Sequence, residues 1–343
     1  MAKIGNEVYF LNPPIKDIQK NYKLIMNIDK GKLYVVDYVD IIKGKRFMPS
    51  FVNGKIFKLQ LNIIEKWLGI DFDILWNFES SRFFNMSYLK KDILKILHLV
   101  DYNTIHNLKL AAKTADICFC TTEYIKNELL KYNKNTYKIN HGWQGPTKSK
   151  FVTQLNSNKI KIGYLGNLTI KYIDWNLITQ IIKQNQNIDF YFFGPKNSNH
   201  LSPTNKLSDK IIYNILNYKN VKLFGAISSD KIHGYLTQMD ANIITYTADQ
   251  NQKQLSNPHK IMEYLGSGKI IISTYTSEFK DKNEMIKMST INSDYLELFN
   301  HVINNLEKYN SLENRNKRIK YAHNHLYEQQ LDKIFTKIKC FTQ

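Results

Sequence analysis

The residues best placed by type and spacing to do chemistry lie in QLSNPHKIMEYLGSGKIIIST (254–274). Ser256 or Asn257 can cap a helix whose first turn takes Pro258. His259 and Lys260 then fall inside that turn, where cations oppose the helix dipole. A bound anion would remove the conflict and use the free backbone N–H groups. Glu263 follows Lys260 by three residues, so the two share a face. Two readings stay open: a phosphate contact beside a carboxylate that holds sugar hydroxyls, or an ordinary i,i+3 ion pair. Gly166-Asn167, Gly194-Pro195 and Gly225 each end a strand-like run. A glycine there lets a nucleotide approach the backbone, or simply makes a turn; GYLGNL is not a G-x-G-x-x-G fingerprint. His98 and Asp101 end another such run, facing a cleft or serving the structure. The chain has no G-x-S-x-G, H-E-x-x-H or Walker loop.

These residues need a scaffold, and the second half of the chain spells one out. KIKIGYLG (159–166), DFYFFGP (189–195), VKLFGAI (221–227), ANIITY (241–246) and KIIIST (269–274) read as buried strands. Between them, 175–186, 228–239 and 258–268 carry helical spacing or helix signals. Strand–helix alternation predicts an α/β fold, a doubly wound parallel sheet that binds ligands at the carboxyl ends of its strands. The first half shows the pattern less cleanly, with strands at 6–14, 32–39, 72–78, 93–100 and 116–122 and helices at 107–115 and 122–132. A break rich in Lys, Asn, Gly and Pro spans 131–151, and helices fill 301–310 and 314–341. The expected division is 1–145, 146–315 and a closing helix over 316–343.

Composition narrows the class. The chain has 343 residues, enough for two domains at roughly 100–200 each. Its 43% apolar content excludes disorder as the overall description. Three cysteines, Cys118, Cys120 and Cys340, make neither a disulfide framework nor a metal spacing. The first residues lack the apolar core of a signal peptide, and no run approaches the ~18–20 residues of a membrane span. A soluble cytoplasmic protein is expected. The net charge of +18 points to an anionic partner, and KGKRFMPSFVNGKIFK (43–58) is basic without a single acid. That run reads either as a solvated loop or as a contact with an anionic surface.

The order of motifs resembles the GT-B glycosyltransferases, close to glycosyltransferase family 4 and its bacterial teichuronic-acid, capsule and exopolysaccharide group. The residues responsible are IGYLGNLTIKYIDWNLI (162–178), FYFFGP (190–195), 220–246 and SNPHKIMEYLGSGKIIIST (256–274). In the first half VYFLNPP (8–14) and stretches of 97–143 resemble the acceptor domain. The resemblance implies two Rossmann-like domains facing a cleft, the first holding the acceptor and the second the nucleotide-diphospho-sugar. It implies that the last helix crosses back to the first domain, and that transfer proceeds with retention and without a metal or other cofactor. Glu263 matches the carboxylate on the ribose hydroxyls, and Lys260 the basic group on the diphosphate. Ser256, Asn257 and Gly166 would line the phosphate and sugar, with Gly194 and Gly225 beside the nucleotide, and His98 and Asp101 would serve catalysis from the first domain. The expected acceptor is a glycan, lipid-linked, with peripheral contact to an anionic membrane and no specific nucleic acid.

The sequence departs from that pattern in places. Leu255 stands where family 4 often has a first glutamate, eight residues before Glu263. Asn167 replaces a basic residue, with Lys171 the nearby substitute, and Ile270 replaces a proline. AKIGNEVYFLNPP resembles the end of a helix, so Met1 is expected to be a displaced start; an in-frame stop codon immediately upstream would sink that idea. The alternatives are a basic protein that binds nucleic acid or a phosphorylated polymer, and a GT-B enzyme of another reaction such as a nucleotide-sugar epimerase.

Overall fold

The computed structural model of the chain describes residues 1–15, 21–28, 31–102, 107–146, 152–196 and 213–342. The end of the expected break, 147–151, lies outside them. The chain forms two compact units, Met1–Ile139 with Leu331–Gln343, and Asn140–Gln330. Residues 316–330 thus pack with the second unit and the last residues with the first.

In the first unit the strands fall into two sheets. β1 (Glu7–Leu11), β2 (Asn21–Ile28) and β3 (Gly31–Asp37) join in the order β1-β3-β2. β4 (Ile74–Asn77), β5 (Leu94–Leu99), β6 (Ile117–Cys120) and β7 (Thr136–Lys138) form a second, all-parallel sheet in chain order. Its strands are short and apolar because helices must cover a parallel sheet on its faces. One face carries Leu97, Leu99, Cys118 and Cys120, in a cluster with Phe57 and Leu61 of the helix Ser50–Leu68. The other carries Ile96, Ile117 and Phe119, packed with Ile334 and Ile338 of the C-terminal helix. The alternation along each strand is the period of two expected of side chains on a pleated backbone.

The run 43–58 is not a loop throughout. It holds a 3₁₀ turn, Lys45–Phe47, and the first half of the helix Ser50–Leu68. That helix buries Phe57, Leu61 and Ile64 and stops at Gly69, which adopts the left-handed conformation and returns its N–H to the Glu65 carbonyl at 2.8 Å.

The second unit holds six parallel strands: β8 (Ile160–Leu165), β9 (Ile188–Phe193), β10 (Val221–Gly225), β11 (Ala241–Ile244), β12 (Ile270–Thr274) and β13 (Ile286–Ser289). Their order across the sheet is β10-β9-β8-β11-β12-β13. Numbered from the first strand of the unit this is 3-2-1-4-5-6, the dinucleotide-binding order, whose switch point lies between β8 and β11. The helix Trp175–Gln184 packs Leu177, Ile178, Ile181 and Ile182 into the core, and Asp174 caps it by accepting from the Leu177 N–H at 3.0 Å. Each such apolar side chain contributes about 1.5–3 kcal/mol on burial. No described helix is long and apolar enough to cross a membrane.

Candidate functional site

Three strand ends in the second unit converge through their glycines. The Gly166 N–H donates to the Phe193 carbonyl at 2.8 Å, and the Gly194 N–H to the Gly225 carbonyl at 2.7 Å. All three glycines have positive φ, 139° at Gly166, 149° at Gly194 and 71° at Gly225. At Gly194 a Cβ would lie 1.9 Å from the Gly166 oxygen, so no other residue fits the turn. At Gly166 a Cβ would lie 2.9 Å from the Nζ of Lys260. The glycine thus opens the end of β8 to a cation.

Lys260 begins the helix Lys260–Gly266. Its Nζ stands 3.9 Å from the ring centroid of Tyr164 and 5.0 Å from that of Tyr246. Aromatic faces attract a cation, but they fill none of its three donors. The Nζ is buried and has no hydrogen-bond partner among the described residues. Burial pulls its pKa down to about 7. A buried ammonium is stable only when paired, so this is a cation prepared for an anion, placed at the switch point. Tyr264 holds the surrounding frame: its Oη accepts from the Leu165 N–H at 2.7 Å and donates to the Ile243 carbonyl at 3.4 Å, tying β8 to β11.

Glu263 does not pair with Lys260. Its Oε2 accepts the indole N–H of Trp143 at 2.9 Å. Burial raises the Glu263 pKa, and the indole bond partly restores the carboxylate. The i,i+3 ion pair allowed by the spacing is therefore absent, and both charged groups are held apart from each other. Trp143 itself is buried against Gly266, where a Cβ would lie 2.3 Å from its ring. It is pinned between neighbours, its N–H donating to the His325 carbonyl at 2.8 Å and its own carbonyl accepting from the Tyr327 N–H at 2.9 Å.

Ser256 and Asn257 do not cap the helix as the spacing suggests. The residue ahead of Lys260 is His259, and no side chain among the described residues caps the helix there. Ser256 instead closes the preceding helix, Ala248–Leu255, and its carbonyl accepts from Glu278 at 3.2 Å. Pro258 forces the chain out of helix between the two segments. Asn257 bonds backward: its Nδ2 donates to Asn140 Oδ1 at 2.9 Å, and its carbonyl meets His141 Nε2 at 3.1 Å. Asn167 folds its Oδ1 back to the N–H and hydroxyl of Thr169, at 2.9 and 2.8 Å, a local turn. Lys171 is exposed, with its Nζ 4.8 Å from the ring centroid of Tyr172.

His98 and Asp101 belong to the first unit. His98 is buried among Trp76, Phe78 and Phe119, and its Nδ1 accepts the Trp76 indole N–H at 3.3 Å. Nδ1 is therefore the acceptor and Nε2 carries the hydrogen. Burial lowers its pKa to about 4, so the ring is neutral at pH 7. Asp101 is exposed just past β5. Sequence reasoning missed Trp143, Tyr164, Tyr246 and His141. Only an aromatic excess marks the first three, and nothing local distinguishes them from core residues.

No protein-family model matches the sequence, and no curated protein matches it. Solved structures do. Sucrose-phosphate synthase from Thermosynechococcus elongatus superposes with a TM-score of 0.68 at 10% identity, covering 98% of this chain and 89% of that one. A glycosyltransferase from Rickettsia africae gives 0.60 at 15% identity, over 90% and 86%. Anabaena HepE in complex with UDP-glucose gives 0.54 at 14% identity, over 70% and 72%. These neighbours are GT-B glycosyltransferases. The chain has the GT-B fold. At these identities the likeness carries the fold alone. The GT-B likeness runs through both units, since the first comparison spans nearly the whole chain.

Proposed function

We propose that this protein is a glycosyltransferase that moves a sugar from a nucleotide-diphospho-sugar to an acceptor. The observation that carries the reading is the buried Lys260 Nζ, without a hydrogen-bond partner among the described residues, beside the open Gly166 turn at the switch point. A diphosphate supplies the missing acceptors, and Glu263 supplies a carboxylate for the ribose hydroxyls. HepE, a neighbour of the same fold, is known with UDP-glucose, which favours a uridine donor here.

In the proposed reaction the bond from the sugar C1 to the β-phosphate oxygen breaks and a bond from C1 to the acceptor oxygen forms on the same face. The acceptor hydroxyl proton passes to the departing diphosphate. Protonated Lys260 neutralises the charge that develops on that leaving group, the electrostatic work a metal performs in other transferases. Retention and metal independence belong to this reading. So does an acceptor that is a bacterial surface glycan, carried on a lipid at the cytoplasmic face of the membrane, and a first unit that holds it.

A thermal-shift panel of UDP, GDP, CMP and their sugars tests the donor site. A ligand at 100 times its dissociation constant stabilises by about 2.7 kcal/mol. The expected result is a shift with one nucleoside diphosphate, lost in Lys260→Ala. No shift with any of them on folded protein overturns the reading. Product analysis with donor alone separates transfer from epimerisation.

A further inference from the structure

The first unit carries a surface that its own fold does not explain. Phe47 is 79% exposed, Phe51 54%, Leu59 50% and Ile42 41%, all within eighteen residues of chain. Interleaved with them, Lys43, Arg46, Lys55 and Lys58 are exposed. None of these four cations makes an ion pair among the described residues. The two acids nearest in the chain are withdrawn: Asp40 pairs with the buried Lys45, and Glu65 is buried and pairs with Lys90.

The apolar groups are not loose ends. The Ile41 N–H donates to Gln60 Oε1 at 3.0 Å, and Asn53 Nδ2 reaches the Lys45 carbonyl at 3.3 Å. Lys45 sits inward, 4.0 Å from the ring centroid of Phe83. The turn is thus clamped on the buried side of the helix Ser50–Leu68 while Phe47 stands in solvent. Along that helix Phe51, Lys55, Lys58 and Leu59 are spaced to share one face. An adjoining hollow of about 450 Å³, lined in part by Met48 and Ser50, adds the exposed Lys109 and Lys113 from the next helix.

We propose that this surface docks on an anionic phospholipid bilayer. Four unpaired cations without an exposed acid select an anionic partner. Nucleic acid meets the charge, but it offers no apolar interior for Leu59 and Ile42. A bilayer offers both, with phosphates at the level of the lysines and acyl chains below them for Phe47 and Phe51. The proposal deepens the lipid-linked reading of the acceptor and rests on it for its purpose, since docking brings the first unit to the plane where such an acceptor lies. The binding itself is independent of the donor site.

The test is co-sedimentation of the full chain with vesicles of phosphatidylglycerol and phosphatidylcholine, against phosphatidylcholine alone. Binding is expected only to the anionic vesicles. Lys55→Glu with Lys58→Glu should weaken it on the order of 25-fold or more, taking about fivefold per basic residue. Phe47→Ser with Phe51→Ser leaves the charge intact and should weaken it about tenfold or more through lost burial. Both variants keep the fold and the UDP shift, because the altered side chains are exposed and lie in the other unit. Equal binding to neutral vesicles, or no effect of the phenylalanine pair, overturns the proposal. So does binding of a single-stranded oligonucleotide through Lys55 and Lys58 with none to vesicles. Loss of the UDP shift with vesicle binding intact overturns the donor reading and leaves this one standing.

Discussion

Trp143 gives its indole N–H to Glu263 across 120 positions of sequence, at 2.9 Å. The bond decides how the carboxylate meets a ligand: Oε2 is engaged, which leaves Oε1. It also separates Glu263 from Lys260, so one group can take hydroxyls while the other takes phosphate. Trp143→Phe should keep a ring against Gly266 and remove only the N–H. UDP affinity by calorimetry is expected to fall about three- to tenfold, in line with losing a hydrogen bond to a charged group. The deficit should grow as pH falls toward 5, because the indole no longer opposes the upward pull of burial on the Glu263 carboxyl. Unchanged affinity at both pH values would show that Trp143 does not orient Glu263.

Gly266 makes room for the same indole. A Cβ there would lie 2.3 Å from Trp143 Cζ2 and 2.6 Å from two more ring atoms. Gly266→Ala should therefore destabilise by about 1–3 kcal/mol, as overpacking does. Phenylalanine lacks those ring atoms, so the same change in a Trp143→Phe background should cost less. A double-mutant cycle on melting temperature reads the difference. Simple additivity would sink the packing argument.

The charge on Lys260 should make donor binding and stability respond to pH in opposite directions. Its folded pKa is about 7 against 10.5 for the free side chain. Below pH 7 the ammonium is forced into the site and burdens the fold; as pH rises from 7 toward 10.5 the folded protein is already neutral there and the burden lifts. Wild type should therefore gain stability relative to Lys260→Met across that window in chemical denaturation. A bound diphosphate favours the protonated form, so UDP affinity should drop above pH 7 by up to about tenfold per pH unit in wild type. Lys260→Met should bind weakly with no such slope. The Tyr246 hydroxyl beside it is pushed up to about 12, outside the window. A flat wild-type profile would contradict the assignment.

His98 gives a second pH signature, in the first unit. Its folded pKa of about 4 lies below the ordinary 6.5. The unfolded chain takes up the proton first, so the stability that neutral His98 supports is complete above pH 6.5 and is lost as pH falls toward 4. The loss approaches about 3 kcal/mol, because every tenfold change in proton affinity is worth about 1.4 kcal/mol. His98→Phe should flatten that part of the acid unfolding curve. An identical acid limb in both proteins would mean the ring is solvated or paired.

The second unit was legible in the sequence because its strands are continuous apolar runs closed by glycine and its helices carry the 3.6-residue stripe. Each expected strand there begins and ends within two residues of the observed one. The helix Ser50–Leu68 was not legible, and the reasons are physical. Gly54 in its middle reads as a breaker but is a contact point, where a Cβ would lie 2.3 Å from the Tyr88 ring. Asn53 and Gln60 are buried on its inner face while Phe51 and Leu59 are exposed on the outer, so the hydrophobic pattern is blurred. A buried asparagine is stable only because it bonds the Arg82 and Lys45 carbonyls, and no local pattern encodes partners that distant.

The sequence by itself determined the alternation of strand and helix in the second unit, the glycines at the strand ends, and the placing of Lys260 and Glu263 on one short segment. Local propensity and burial pattern suffice for these, because each depends on neighbours within a few residues. Tertiary structure alone decided the strand order that places β8 beside β11, and hence the switch point on which Gly166 and Lys260 meet. It also decided that Glu263 spends its oxygen on Trp143 rather than on Lys260, leaving the lysine buried without a partner among the described residues. The spacing of two charges allows an ion pair; whether one forms depends on what else the fold brings within reach.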